Sequence, residues 1–140
     1  MTPAVSDLPD QVLEFSIGDE RYCLALDTVE EIVAADAVTP LPDTLPAVAG
    51  VMDLRGETTT ILEPARLLDV ASERSGEQVV VLDDADRRGW LVDRVHRVRG
   101  LRDVTVDTVP ESPLINGVVS DGDRFTVWVD PDTVTGAVSV

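Results

Sequence analysis

The chain contains no lysine. All 11 of its basic residues are Arg, set against 18 Asp and 9 Glu in 140 residues, for a formal net charge of −16. That balance excludes nucleic acid as the expected partner, because phosphate binding needs clustered positive charge. It argues equally against an anionic membrane surface. There is one cysteine, Cys23, so no intramolecular disulfide can form, as expected of a reducing cytoplasm. There is one histidine, His96, and it is not at ligand spacing to Cys23, which leaves no zinc-type site. A nucleophilic triad would have only His96 as its base, and no Ser sits in a Gly-x-Ser-x-Gly turn. Phosphate loops are missing too, since a Walker sequence needs Lys and no Gly-x-Gly-x-x-Gly occurs. The acidic clusters Asp83-Asp84-Ala85-Asp86 and Asp121-Gly122-Asp123 lack the spacing and the closing Glu of an EF-hand. No apolar run approaches the ~20 residues needed to span a bilayer. Residues 1–11 have no basic segment leading into an apolar one, so they read as a loose arm rather than a signal peptide. The expectation is a binding module without catalysis, metal or cofactor.

The missing Lys also bears on the solvent. A small domain at −16 repels itself in dilute buffer. Near 1 M salt the Debye length falls to ~3 Å, which removes most of that repulsion. The composition therefore suggests a very salty cytoplasm, as in halophilic archaea. The melting temperature should rise with KCl concentration, and a melt indifferent to KCl would remove this reading.

What the chain does have is Val, 24 residues of it, within a hydrophobic content of 44%. Leu13, Phe15 and Ile17 alternate with Val12, Glu14 and Ser16; Gly18-Asp19-Glu20 interrupts, and Tyr22, Leu24 and Leu26 alternate again. Two alternating runs around a Gly/Asp turn predict a β-hairpin. Val29 to Val33 predicts a further strand, and Pro40, Pro42 and Pro46 make residues 40–46 a loop. Val48 to Leu54 and Thr58 to Leu62 predict a second hairpin turning at Arg55-Gly56. One helical turn with Pro64 at its start follows, then a polar connector over 71–77. Strands are predicted again at Val79–Leu82, Trp90–Val92, Val95–Val98, Ile115–Val119 and Phe125–Val129.

The two halves match in order. At an offset of 66, Leu26-Asp27 falls on Val92-Asp93, Val29 on Val95 and Ile32 on Val98. At an offset of 67, Pro46 falls on Pro113, Gly50-Val51 on Gly117-Val118, Thr59 on Thr126, and Glu63-Pro64 on Asp130-Pro131. The series predicts a tandem pseudo-repeat of about five strands per copy. Short strands with proline loops suit small closed barrels, which leave no exposed edges. The fold class is therefore all-β, two packed five-stranded barrels. The first spans approximately 12–70 and the second approximately 78–136, with exchange of strands between them possible. Neither half buries much surface alone, so the interface between them should belong to the core.

Two features stand apart. Arg55, beside Gly56 at a hairpin tip, is either a solvated turn charge or a presented recognition group. In Val29-Glu30-Glu31-Ile32-Val33, alternation places Glu31 on one face with Val29 and Val33. A Glu so flanked needs water or a cation. Arg55 is one candidate partner; an ordinary mixed edge strand is the other reading.

At these residues the sequence resembles the CheW-like family, the coupling proteins of bacterial and archaeal chemotaxis. The resemblance is carried by Phe15-Ser-Ile-Gly-Asp-Glu-Arg-Tyr22, Val29-Glu-Glu-Ile32, Ala49-Gly-Val-Met-Asp-Leu-Arg-Gly56, Leu91-Val-Asp-Arg-Val95 and Ile115-Asn-Gly117. It covers roughly Val12 to Val134, and residues 50–56 are its most specific part. The family more often has Asn at the place of Asp53. The resemblance implies two SH3-like barrels around a common core, forming a single CheW-like domain over 12–136. It implies a cytoplasmic, non-catalytic adaptor associated with membrane-bound receptor arrays. Its partners would be the cytoplasmic tips of methyl-accepting chemotaxis receptors and the regulatory domain of the histidine kinase CheA. Partner contact is implied at Val29, Glu31, Ile32, Gly50, Leu54, Arg55, Gly56 and Val95, with a structural ion pair between Glu31 and Arg55. The alternatives are a CheW-like adaptor in another chemosensory pathway, pilus-related or receiver-linked, and a small ligand-binding β-barrel.

Overall fold

Alternation in this chain writes strands with two usable faces, and the strands Gln11–Ile17, Glu20–Ala25, Gln78–Leu82 and Arg88–Val92 are buried on both. In the computed structural model, residues 9–41, 47–68, 77–83, 87–101, 104–107, 115–122, 124–131 and 134 are described. The strands are β1 (Gln11–Ile17), β2 (Glu20–Ala25), β3 (Val29–Ala34), β4 (Val48–Leu54), β5 (Glu57–Leu62), β6 (Gln78–Leu82), β7 (Arg88–Val92), β8 (Arg94–Gly100), β9 (Thr105–Asp107), β10 (Ile115–Asp121) and β11 (Arg124–Val129). One helical turn, α1 (Pro64–Leu67), follows β5 with Pro at its start, where a missing N–H costs nothing. β9 has only three residues, too short for its alternation to be read. Residues 1–8 of the arm expected over 1–11, 42–46 of the loop expected over 40–46 and 71–76 of the connector expected over 71–77 lie outside the described residues, as does Pro113; Gln11, placed in the arm, opens β1 instead.

One sheet runs β8-β1-β2-β11-β10-β9 and the other β3-β6-β7-β5-β4. Each therefore draws on both halves of the chain. The division at 12–70 and 78–136 is not the division between the sheets: β1 and β2 leave the first half to join β8–β11, and β6 and β7 join β3–β5. The physical reason is non-local. β2 lies parallel to β11, and β5 lies parallel to β7, and a parallel pair cannot be closed by a tight turn.

Under the exchange the pseudo-repeat is preserved. Matching β3 with β8, β6 with β1, β7 with β2, β5 with β11 and β4 with β10 makes the two strand orders identical. The bulges match as well: one between Val48 and Gly50 recurs between Ile115 and Gly117. Each sheet curls until its ends approach along the chain. In the β3–β7 sheet, Thr39 bridges to Val51 on β4; in the other, β9 pairs with β10. We call these barrel B and barrel A respectively.

Each barrel has an interior, and the two share a third cluster. Met52, Ile61, Val79 and Val81 fill barrel B, while Val12, Cys23, Leu101, Val119 and Trp128 fill barrel A. Between the barrels, Leu13, Phe15, Ile17, Tyr22 and Leu24 meet Leu62, Val80, Leu82, Trp90 and Val92. Phe15 stacks on Tyr22 with centroids 5.9 Å apart and meets Trp90 edge-on at 6.3 Å. The interface is thus the largest core cluster among the described residues. Burial pushes the Tyr22 hydroxyl up to about 12, with Glu20 adding to the shift.

The matched pair Thr59 and Thr126 is buried in the two barrels, and the Thr59 hydroxyl has no hydrogen-bond partner among the described residues. An unsatisfied buried hydroxyl costs stability that a methyl in the same place would not. Thr59→Val should therefore stabilise the fold by about 1–2 kcal/mol, read as a raised midpoint in urea. A lowered midpoint would mean that the hydroxyl is bonded.

Candidate functional site

The β4–β5 hairpin turns on two residues. Arg55 has φ 53° and Gly56 φ 83°, the positive pair of a type I′ turn. Gly56 takes that conformation freely, whereas Arg55 does so at a cost of roughly 1–2 kcal/mol. Opposite the turn, β3 carries a bulge between Val29 and Glu31. Beyond it Val29, Glu31 and Val33 are half-buried while Glu30, Ile32 and Ala34 are exposed. The turn and the strand together bring Arg55 Nη2 to 2.5 Å from Glu31 Oε2. Arg55 stays 72% exposed and Glu31 20% exposed, so the pair contributes only about 0–1 kcal/mol. Its effect is positional: a guanidinium is held in place at the tip of barrel B. A second group lies on the same barrel, with Arg87 Nε 2.8 Å from Glu57 Oε2 and Arg87 Nη1 4.0 Å from Glu30.

The other predicted residues divide by task. Leu54 packs against the barrel B interior and leads into the turn. Ile32 stands 40% exposed on the outer face of β3. Val29 and Val95, at matching places in the repeat, both pack against the shared core, one from each barrel. The Val95 N–H donates to Gln78 Oε1 at 2.7 Å, which ties β8 to β6 across the interface. Gly50 is buried; a Cβ there would lie 2.2 Å from the Thr39 carbonyl oxygen. Its task is to let the chain at Thr39-Pro40 cross β4, at the bulged end of the strand and away from the Arg55 turn.

A charged cluster on barrel A has no counterpart among the predicted site residues. Glu14 on β1 is 2% exposed, with Arg97 Nε 2.8 Å from its Oε1, Arg99 Nη1 3.4 Å from its Oε2, and Arg21 Nη1 4.0 Å from Oε1. His96 beside it is exposed, and its pKa is lowered by partial burial and by Arg21, Arg94 and Arg124, with Glu14 opposing. Cys23 is buried within barrel A, and burial, aided by Glu14 and opposed by Arg99, pushes its thiol up to about 12. A thiol so held is no nucleophile at neutral pH. Among the described residues no group of three His, Cys, Asp or Glu could hold a metal ion. No helix among them is long and apolar enough to cross a membrane.

Two fused barrels with a shared core and a held guanidinium at one tip define a class of protein: a β-barrel scaffold that presents surfaces. The chain belongs to the family of CheW-like domains, whose model matches residues 11–138. This is a family of chemotaxis coupling scaffolds, not of enzymes. The chain is 29% identical to the chemotaxis protein CheW of Rhizobium meliloti, covering 96% of this chain and 94% of that one. It is 26% identical to the CheW protein of Thermotoga maritima, covering 93% and 90%. Its fold is similar to the crystal structure of the scaffolding protein TtCheW from Thermoanaerobacter tengcongensis. There the TM-score is 0.79 at 19% identity, over 91% of this chain and 92% of that one.

Proposed function

We propose that this chain couples methyl-accepting chemoreceptors to the histidine kinase CheA, with the Arg55–Glu31 tip of barrel B as a partner contact. The observation that carries the site is the conformation of Arg55. A bulky residue is kept at positive φ where Asn or Gly would be less strained, and strain of this kind clusters at functional positions. The contact surface extends from Arg55 and Gly56 to Ile32, with Val29 and Val95 lining the junction of the barrels. The kinase contact is made with the regulatory domain of CheA and the receptor contact with the cytoplasmic receptor tips, which places the chain in membrane-bound arrays. A receptor tip offers helices, and an apolar helix face fits the Val-lined junction.

Arg55→Asn separates fold from function. Asn-Gly is the preferred type I′ pair, so the variant should melt at or above the temperature of the parent chain. In a reconstituted assembly of receptor, CheA and this chain, kinase stimulation should fall by roughly tenfold, the loss of an Arg anchor. Full stimulation by the folded variant would overturn the site.

A further inference from the structure

The Arg cluster of barrel A is assembled by a bulge. β8 pairs with β1 through Ser16 opposite Arg94, then Glu14 opposite Arg97 and Val12 opposite Arg99, with His96 as the extra residue at the shift. Cross-strand partners share a face. The inserted His96 therefore puts Arg94, Arg97 and Arg99 on one side, where strict alternation would set Arg94 against the other two. Arg21 on β2 is also opposite Ser16, so it joins the same face from the next strand. Arg124 opens β11, the strand beside β2, opposite Asp121 of β10, and its charge acts on His96 with those of Arg21 and Arg94.

Three of the chain's eleven arginines thus lie within 4.0 Å of one buried carboxylate, and Arg94 and Arg124 act with Arg21 on the neighbouring His96. Glu14 has two oxygens, and Arg97 and Arg99 engage one each. Arg21 is held loosely at 4.0 Å; Arg94 forms no ion pair among the described residues, and Arg124 has Asp121 as its cross-strand neighbour. This is an unusual arrangement in a chain with 27 acidic residues. Stability alone would favour dispersing these charges among the acids, because like charges gathered together repel. The surplus is turned outward: the side chain of Arg97 is 55% exposed, and Arg94 and Arg124 are exposed.

We propose that this face of barrel A docks an acidic polypeptide segment of a partner protein. Carboxylates of the segment pair with Arg94, Arg124 and Arg21, while Arg97 and Arg99 stay on Glu14. Planar guanidiniums suit this task, because they grip carboxylates with two parallel hydrogen bonds. Such short contacts survive salt that screens longer-range attraction. The site lies on the other barrel from Arg55 and is independent of it.

The probe is a fluorescein-labelled hexaglutamate peptide titrated with the full chain, read by anisotropy at several KCl concentrations. The parent chain should bind, and the double variant Arg94→Glu/Arg124→Glu should bind roughly tenfold more weakly or worse. Arg55→Asn should bind as the parent does. Both altered Arg residues are exposed, and a thermal melt confirms folding; Arg94→Gln/Arg124→Gln gives a milder second variant expected to fall between. Equal affinity in the folded variants, or no binding by the parent chain, overturns the proposal. So does light scattering that shows a dimer of the parent chain lost in the double variant, since the face would then belong to a second copy.

Discussion

Glu14→Ala should cost the fold about 3–5 kcal/mol, the range for removing one partner of a buried charge network. The carboxylate is 2% exposed, and its two oxygens each hold an arginine. Without it, Arg97, Arg99 and Arg21 face one another across a cavity with no anion between them. Arg99 is the most constrained, with 17% of its side chain exposed and little access to water in compensation. Glu14→Gln keeps the volume and the acceptor but not the charge, so it should lie between the parent and Ala. The pseudo-repeat supplies a further test. In barrel B the place of Glu14 is taken by Val81, opposite Glu31, and the place of Arg99 by Val33, opposite Val79. Barrel B closes on apolar residues there, so the double variant Glu14→Val/Arg99→Val should recover much of what Glu14→Ala loses. Urea unfolding gives the order directly. A Glu14→Ala variant within about 1 kcal/mol of the parent would mean that water already reaches the cluster.

The same comparison explains what could be read from the sequence and what could not. The repeat was legible because Gly50-Val51 and Gly117-Val118, Thr59 and Thr126 keep one spacing, and each pair turns out to do one physical task. The hairpins were legible because a two-residue Arg55-Gly56 turn sits between alternating runs. Arg55 and Glu31 were each visible as oddities, and their meeting followed once β3 and the β4–β5 turn lay in one sheet. The exchange of β1 and β2 for β6 and β7 was not fixed by pattern. Alternation says which face of a strand is buried but not which distant strand lies beside it, and the β2–β11 and β5–β7 pairings are both distant. The Glu14 cluster was hidden by two effects. Alternation sets Val12, Glu14 and Ser16 opposite Leu13, Phe15 and Ile17 without saying that both faces are covered, and Val12 and Glu14 are buried inside barrel A. The extra residue His96 then shifts the register of β8, so its arginines no longer follow a period of two.

Gly50→Ala should be the other severe change, also costing about 3–5 kcal/mol. The added methyl would lie 2.2 Å from the Thr39 carbonyl oxygen and 2.8 Å from its carbon. Those are backbone atoms, so no side-chain rotation relieves the clash. Either β4 or the Thr39-Pro40 segment has to move, and overpacking of this kind costs about 1–3 kcal/mol by itself. Movement would also break the bridge that closes barrel B. There Thr39 N–H donates to the Val51 carbonyl at 2.7 Å and Val51 N–H to the Thr39 carbonyl at 2.9 Å. Each such bond contributes about 0.5–1.5 kcal/mol. Gly117 is the matched control in barrel A, where a Cβ would lie 2.8 Å from the Asp107 carbonyl oxygen and 3.1 Å from Val106. That approach is looser, and Gly117 does not share the positive φ of Gly50, 154°, which disfavours a side chain there as well. Gly117→Ala should therefore destabilise less than Gly50→Ala, in the same direction. The two variants unfolded side by side in urea test the argument. Equal losses would show that the cost does not follow the closeness of the approach, and a harmless Gly50→Ala would show that barrel B does not depend on the crossing at Thr39.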